Sequence, residues 1–367
     1  MAFPHEPAAH LLGSNGPVHA VTYSASPGTY ILTGSADRTI RLYNPFPSTR
    51  VPEVRGPKGT APPSVPQGRL IQSYEAHGYE VLSLDVSPSN EAFVSAGGDR
   101  SVFLWDVATA VTTRRFGGSA QGHTSRINCV AFAGGDGGDS LIVSGGFDTT
   151  VRLWDGRSNN SSKPIQVLTE ARDAITSLAV RGPEVVAASV DGRVRSYDVR
   201  MGKCTTDIIG ASATSVCLTK DGRAMLVGSL DSKLRLMDRD SGACLRAYED
   251  PEWRNDELRV QSMLAGREKY VIVGDEMAGD DAAQRRARGL GRILVWDLLS
   301  GKSVAKIDVP WGPQGYDGRR KVVGRDGKEK LRSNVISCMA WRDDGWGDQF
   351  CVGGTSGVVT VYEAPRS

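Results

Sequence analysis

The stretch SGGFDTTVRLWDGR, Ser144 to Arg157, carries two aspartates, a tryptophan six residues after the first of them and an arginine two residues past the second. One copy would suit a catalytic cluster as well as a structural turn. The pattern returns. DRTIRLYN (37–44), DRSVFLWD (99–106), DTTVRLWD (148–155), DGRVRSYD (191–198) and DSKLRLMD (231–238) all set an Asp six residues before an aromatic residue or Met. Two weaker copies are GRILVWD (291–297), behind an insertion, and SGVVTVYE (356–363), with Ser356 in the Asp place.

Upstream of each copy stand three apolar residues at spacing +3 and +5. They run from Val18/Val21/Tyr23, Val81/Leu84/Val86 and Ile127/Val130/Phe132 through Ile175/Leu178/Val180 and Ala213/Val216/Leu218 to Val260/Met263/Ala265 and Ile336/Met339/Trp341. This makes seven units. A strand of small residues precedes the Asp in the clear copies, as in ILTGSAD, FVSAGGD and IVSGGFD, so each unit reads as short strands with Gly-rich turns. The 43 glycines of the 367-residue chain fit many tight turns.

The totals narrow the function. A net charge of +2 argues against a dedicated nucleic-acid-binding domain while leaving room for a local basic patch. The six cysteines form no CxxC or Cys/His ligand spacing; Cys129 and Cys338 fall at one repeat position and read as small core residues in a reducing compartment. The five histidines show no metal spacing, so neither metal nor cofactor is expected. MAFPHEPAAH lacks the basic and apolar regions of a signal peptide, and no apolar run is long enough for a membrane span. SGKS (300–303) fails as a phosphate loop because Trp296 stands where the first Gly belongs.

Units of about 40 residues ending in W-D resemble WD repeats, which stack as four-stranded blades of a β-propeller. The resemblance implies an all-β, seven-bladed propeller over residues 9–364, after a flexible segment 1–8 and before a tail 365–367. HLLGS (10–14) is expected to close the ring as outer strand of the last blade. In WD repeats a His, a Ser/Thr, the Asp and the Trp form a hydrogen-bonded tetrad. It is matched by His77–Ser95–Asp99–Trp105 and His123–Ser144–Asp148–Trp154; blade 1 keeps Thr33 and Asp37, and blade 4 has Ala171 and Ala187 instead of His and Ser. Repetition, and a Ser lying within a strand, favour this structural reading over a catalytic triad.

Three insertions depart from the repeat. Residues 46–68 are Pro-rich, 276–290 pass from acidic to basic, and 312–332 carry seven Lys/Arg against two acids between Arg319 and Arg332. The last reads either as a solvated loop or as a contact for an acidic partner or an RNA backbone. Ser26-Pro27 and Ser87-Pro88 lie in turns, where regulatory phosphorylation is conceivable.

A propeller without a chemical site is a binding platform, and its function lies in exposed positions. On the face bearing the structural Asp turns, that Asp is followed, immediately or one residue later, by Arg38, Arg100, Arg193 or Lys233. Tyr79 and Glu80 follow the tetrad His of blade 2, and Glu170 and Arg172 flank the missing His of blade 4. These eight residues are the candidate protein-binding set. HGYEV, EARD, SVDGRVRSYDVRMG and SLDSKLRL further resemble the mitogen-activated protein kinase organizer family of WD-repeat proteins. That resemblance implies a non-enzymatic scaffold for kinase cascades, or a spliceosome component in pre-mRNA splicing. It implies a monomer within larger complexes of the cytoplasm and nucleus, with no membrane and no cofactor. Blades 6 and 7 depart from the family pattern. An alternative comes from WDGR (154–157) and YDVR (197–200): they resemble the paired D-x-R box of cullin-RING ubiquitin-ligase substrate receptors, in which Arg157 and Arg200 would engage the adaptor on the opposite face.

Overall fold

The computed structural model describes residues 3–46, 65–118, 121–133, 140–158, 162–277, 283–313, 321–323, 329–342 and 348–364. Seven four-stranded antiparallel sheets follow one another around a ring, and a small two-stranded sheet is appended (321–323 with 329–331). Each blade runs outward from an inner strand. In blade 1 the strands are Val18–Tyr23, Ile31–Ser35, Thr39–Asn44 and Arg69–Glu75. The other inner strands are Val81–Val86, Ile127–Phe132, Ile175–Arg181, Ala213–Leu218, Ser262–Ala265 and Ile336–Arg342, so the seven apolar triplets of the sequence fall at or beside the inner strands.

The ring closes through the N-terminal strand, with a correction to its bounds. Glu6–Leu11, rather than 10–14, pairs antiparallel with Val359–Glu363, Ala9 facing Val361 and Leu11 facing Val359. Residues 3–8 are not a free tail. Phe3 is buried against the rings of Tyr270, Phe350 and Trp341 at 5.1, 5.5 and 6.1 Å, and so packs between blades 6 and 7. Phe3 is the anchor, and a lone aromatic ahead of a weakly patterned strand is easily read as a tail.

Seven hydrophobic clusters hold the ring, one at each blade-to-blade interface. Between blades 2 and 3, for example, Val94, Ala96 and Leu104 meet Ile127, Val130 and Ile142. No blade can bury its faces alone, and stacking is what completes each core. Cys129, Cys338 and Cys351 lie within this packing, and no disulfide forms among the described residues.

The inner strands pose a separate problem: each is a sheet edge with unpaired backbone groups facing a wet central channel. Polar side chains of the preceding blade solve it. Ser83 accepts the N–H of Val130 at 3.1 Å, Asp85 that of Phe132 at 2.7 Å, Ser177 that of Val216 at 3.2 Å and Gln261 that of Met339 at 2.9 Å. Asn128 donates to the Ile175 carbonyl at 2.7 Å. The polar channel lining is therefore part of the ring's seam.

Asp85 carries a measurable consequence. Burial pushes its carboxyl up to about 6, against the pull of the Phe132 and Val86 N–H groups. An acid whose folded pKa lies above its ordinary value near 4 costs nothing below that value and its full penalty above about 6. Asp85→Asn keeps an acceptor oxygen for Phe132. It is expected to raise the unfolding free energy by about 1–2 kcal/mol near pH 8, the gain shrinking as pH falls from about 6 towards 4. Urea unfolding at several pH values checks this, and a pH-independent change would contradict it.

The first insertion lies mostly in 47–64, outside the described residues. The second holds a short helix, Ala283–Arg288, between the second and third strands of blade 6. Most of 312–332, the basic segment included, lies outside the described residues, apart from the small two-stranded sheet. Among the described residues no helix is long and apolar enough to cross a membrane.

Candidate protein-interaction site

Both complete tetrads form. In blade 2, His77 Nδ1 bonds Asp99 at 2.7 Å, Nε2 bonds the Ser95 hydroxyl at 2.7 Å, and the Trp105 indole N–H donates to the same hydroxyl oxygen at 2.7 Å. Blade 3 repeats this with His123–Asp148 at 2.9 Å, His123–Ser144 at 2.8 Å and Trp154–Ser144 at 2.8 Å. One tautomer satisfies every group: Nδ1–H donates to Asp, and Nε2 accepts from Ser. Ser95 and Ser144 are fully buried, so this Ser–His–Asp order offers no hydroxyl to a substrate. Its effect is on the loops. Asp99 also accepts the N–H groups of Gly78 and Tyr79 at 3.1 and 2.9 Å, and Asp148 that of Thr124 at 2.9 Å.

Blades lacking the His use another device, which the repeat reading overlooked. Arg41 bonds Asp37 at 2.8 Å and Arg195 bonds Asp191 at 2.7 Å; Arg235 does the same with Asp231, each four residues after its Asp. Thr33 is not the blade 1 hydroxyl partner. Its Oγ1 is buried without a bond, and Ser35, two residues before Asp37, donates at 2.5 Å, as Ser229 does to Asp231 at 2.6 Å. The serine of this device and the tetrad His exclude each other, whereas the arginine does not: Arg152 lies 3.8 Å from Asp148 in blade 3. A Cβ at Gly146, the matching position in blade 3, would come within 2.5 Å of Asp148 and 2.6 Å of His123. Asp37 is lowered to about 2: its bonds to Arg41, the Asn15 N–H and Ser35 outweigh burial.

In blade 6 the buried Glu276 takes over. Its carboxylate accepts the N–H groups of Asp256, Glu257 and Leu258 at 3.0, 3.2 and 2.9 Å, fixing the segment that enters the blade. Arg292 pairs there with Asp275 at 2.6 Å, both side chains only 1% exposed.

On this upper face the candidate residues divide. Tyr79 is 65% exposed, while its backbone is clamped by Asp99. Arg38 and Arg100 are exposed at the tips of their turns, with φ of 70° and 60°. A non-glycine residue in this left-handed region is strained by about 1 kcal/mol or more; the corresponding residue of blade 4 is Gly192. Arg193 and Lys233 stand one residue further on and are half-buried, and Lys233 pairs with Glu249 at 3.2 Å. Glu170 is exposed, its carboxylate near the buried Tyr197 phenol, which burial and that carboxylate push well up. Arg172 is exposed with its N–H on Asp191 at 3.1 Å, and Glu80 lies 3.9 Å from His19. Of the eight candidates, Arg38, Tyr79, Arg100, Glu170 and Arg172 are exposed, and Glu80, Arg193 and Lys233 are half-buried.

Missed from sequence were Phe147, 51% exposed just before Asp148, Leu258, 44% exposed, and Arg126 and Arg259 at the channel mouth. An aromatic residue at a turn tip, where the other clear blades carry Ala36, Gly98, Val190 and Leu230, was the available signal.

On the opposite face Arg157 and Arg200 are exposed in matching turns, their N–H groups held by Asp155 and Asp198 at 2.8 and 2.9 Å. The second Asp of each repeat is therefore a turn cap. Ser87 is fully buried and bonded to Ser89 at 2.9 Å, which removes it as an accessible phosphorylation site.

The model of the WD domain, G-beta repeat, matches residues 5–44, 68–106 and 115–155, the first match beginning just before the ring-closing strand. The chain is 36% identical over 294 residues to WD repeat domain-containing protein 83 of Rattus norvegicus, covering 80% of this chain and 79% of the relative. The protein of the same name in Homo sapiens is 36% identical over 297 residues, 81% of this chain and 80% of its own. The Dictyostelium discoideum homolog is 29% identical over 325 residues, 81% and 86% of the two chains. With seven blades closed by an N-terminal strand and these relatives covered over most of their length, the chain belongs to the WD-repeat family of β-propellers, whose members generally serve as interaction scaffolds.

Proposed function

We propose that this propeller is a non-enzymatic scaffold whose upper face docks other proteins, as in the mitogen-activated protein kinase organizer family it resembles. Its partners are components of a kinase cascade or of the spliceosome. It acts as a monomer within larger complexes, in cytoplasm and nucleus, and the basic 319–332 segment is the candidate contact for an acidic partner or an RNA backbone. One observation carries the docking reading: Tyr79 is open to solvent while Asp99 holds its backbone, beside Arg100 at a left-handed tip. A rigid aromatic next to a cation is an anchor that loses little entropy on binding.

Affinity purification from nuclear and cytosolic fractions, read by mass spectrometry, tests it. Tyr79→Ala with Arg100→Glu should fold normally and lose most co-purifying proteins, the remainder binding with less salt sensitivity. Arg100→Gly relieves the backbone strain, so its melting temperature should not fall while its partner recovery does. Recovery of the full set by the double variant would place the docking site elsewhere. A second reading, adaptor binding by a cullin-RING ligase receptor, is supported by the matched turns of Arg157 and Arg200 in adjacent blades. An adaptor present in the same purification and lost on reversing both arginines to Glu favours it; an adaptor absent from the wild type ends it.

A further inference from the structure

Four blades contribute side chains to the upper mouth of the central channel. His19 of blade 1, Glu80 of blade 2, Arg126 of blade 3 and Arg259, which leads into blade 6, line one cavity of about 710 Å³. Arg259 spans the opening. Its guanidinium reaches the carbonyl of Asn128, 131 residues away on the blade 3 inner strand, at 2.9 Å. Its approach is set in advance, because Glu276 holds the N–H groups of the three residues before it.

At this mouth two arginines face one carboxylate, Glu80; the cavity's other carboxylate, Asp85, lies at the far end of the blade 2 inner strand. Among the described residues no carboxylate lies within ion-pair distance of Arg126 or Arg259. Glu80 sits 3.9 Å from His19, an imidazole kept neutral mainly by burial. The surrounding ring disfavours the Arg259 cation, and the charge of Arg126 adds to this. Two arginines without a carboxylate at ion-pair distance, inside a partly enclosed opening, attract an anion more strongly than they would on an open surface. Two exposed apolar side chains flank them. The Phe147 ring lies 4.9 Å beneath the Arg126 guanidinium and is 51% exposed, and Leu258, next to Arg259, is 44% exposed.

We propose that the channel mouth is an anchor for an acidic peptide segment of a protein partner. An Asp or Glu carboxylate of that segment sits between Arg126 and Arg259, and an apolar neighbour of the same segment covers Phe147 and Leu258. The anchor rests on the upper-face docking reading and deepens it. A carboxylate beside an apolar side chain suits the site better than a phosphate backbone does, since a run of phosphates would need more cations than these two and the flanks offer apolar surface instead.

The test uses the full chain and a display library of random short peptides. Selected sequences should be enriched in Asp or Glu next to a large apolar residue. For the tightest selected peptide, made synthetically, fluorescence polarisation should show at least about tenfold weaker binding to Arg126→Gln, Arg259→Gln, with Arg→Lys at both positions losing less. Replacing the acid of the peptide by its amide should lose a similar factor on the unaltered protein, a measurement that does not depend on any variant folding. Selected peptides without acidic enrichment, or an amide peptide binding within about twofold of the acid, overturn the anchor. A peptide lost on Tyr79→Ala but indifferent to the two arginines leaves the docking face standing and removes only the channel mouth from it.

Discussion

Arg292→Ala is expected to destabilise the propeller by about 3–5 kcal/mol, through the loss of a buried ion pair. The guanidinium is 1% exposed and holds Asp275, equally buried, at 2.6 Å, and it also reaches Glu252 at 2.9 Å. Around them Lys306 bridges Asp250 and Glu252 at 3.0 and 3.3 Å, and Arg285 of the inserted helix lies 3.4 Å from Asp308. Removing Arg292 strands the Asp275 carboxylate in a site where burial already raises its pKa despite the arginine. The sign of the pH dependence follows. A carboxyl raised in the folded state is penalised above its folded pKa and not below its ordinary one, so the loss should be smaller near pH 5 than near pH 8. Adding Asp275→Ala to Arg292→Met should recover part of the stability, because no unpaired charge remains. Urea midpoints at the two pH values decide it; an equal loss at both would mean that packing, not charge, dominates.

Asp148→Ala is the second large effect, at about 1–3 kcal/mol. It removes the acceptor of the His123 Nδ1–H, the Thr124 N–H and the Thr150 hydroxyl, which approach to 2.9, 2.9 and 2.8 Å. Burial acts to raise the Asp148 carboxyl, but His123 and the Thr124 N–H hold it well below the ordinary carboxylate range. A carboxyl lowered in the folded state stabilises above its ordinary pKa and loses that contribution as pH falls through the folded value. The gap between wild type and variant should therefore be full near neutrality and close in acid. Asp238→Ala, at an exposed turn cap on the other face, should cost less. Comparable drops in melting temperature for the two would contradict the division of labour between the repeat's two aspartates.

Much of the fold was legible in the chain because each blade states its own grammar within about 40 residues. An Asp six positions before Trp105 or Trp154 must sit in the turn between second and third strands for its carboxylate to meet the preceding loop. The substitute device was equally present in print, as Arg41, Arg195 and Arg235 four residues after their aspartates, yet a search for the His–Trp form passes over it. In the candidate site Tyr79, Arg38 and Arg100 lie exposed where the turns place them. Lys233 is half-buried and paired, because its partner, Glu249, comes from another strand. Type and spacing could not tell a cation left to water from one already paired.

By itself the sequence determined the number of blades, the two tetrads, the face on which their loops gather and the closing of the ring by an N-terminal strand. The first three rest on strand alternation and turn chemistry that leave a local trace, and the last on the final blade being left one strand short. Tertiary structure alone decided that Phe3 wedges between the last two blades, that Glu276 and Arg292 replace the tetrad of blade 6 across an insertion, and that Arg259 crosses the channel to Asn128. Those contacts join residues brought together only when the ring closes, and closure imposes distance and charge without imposing any spacing along the chain.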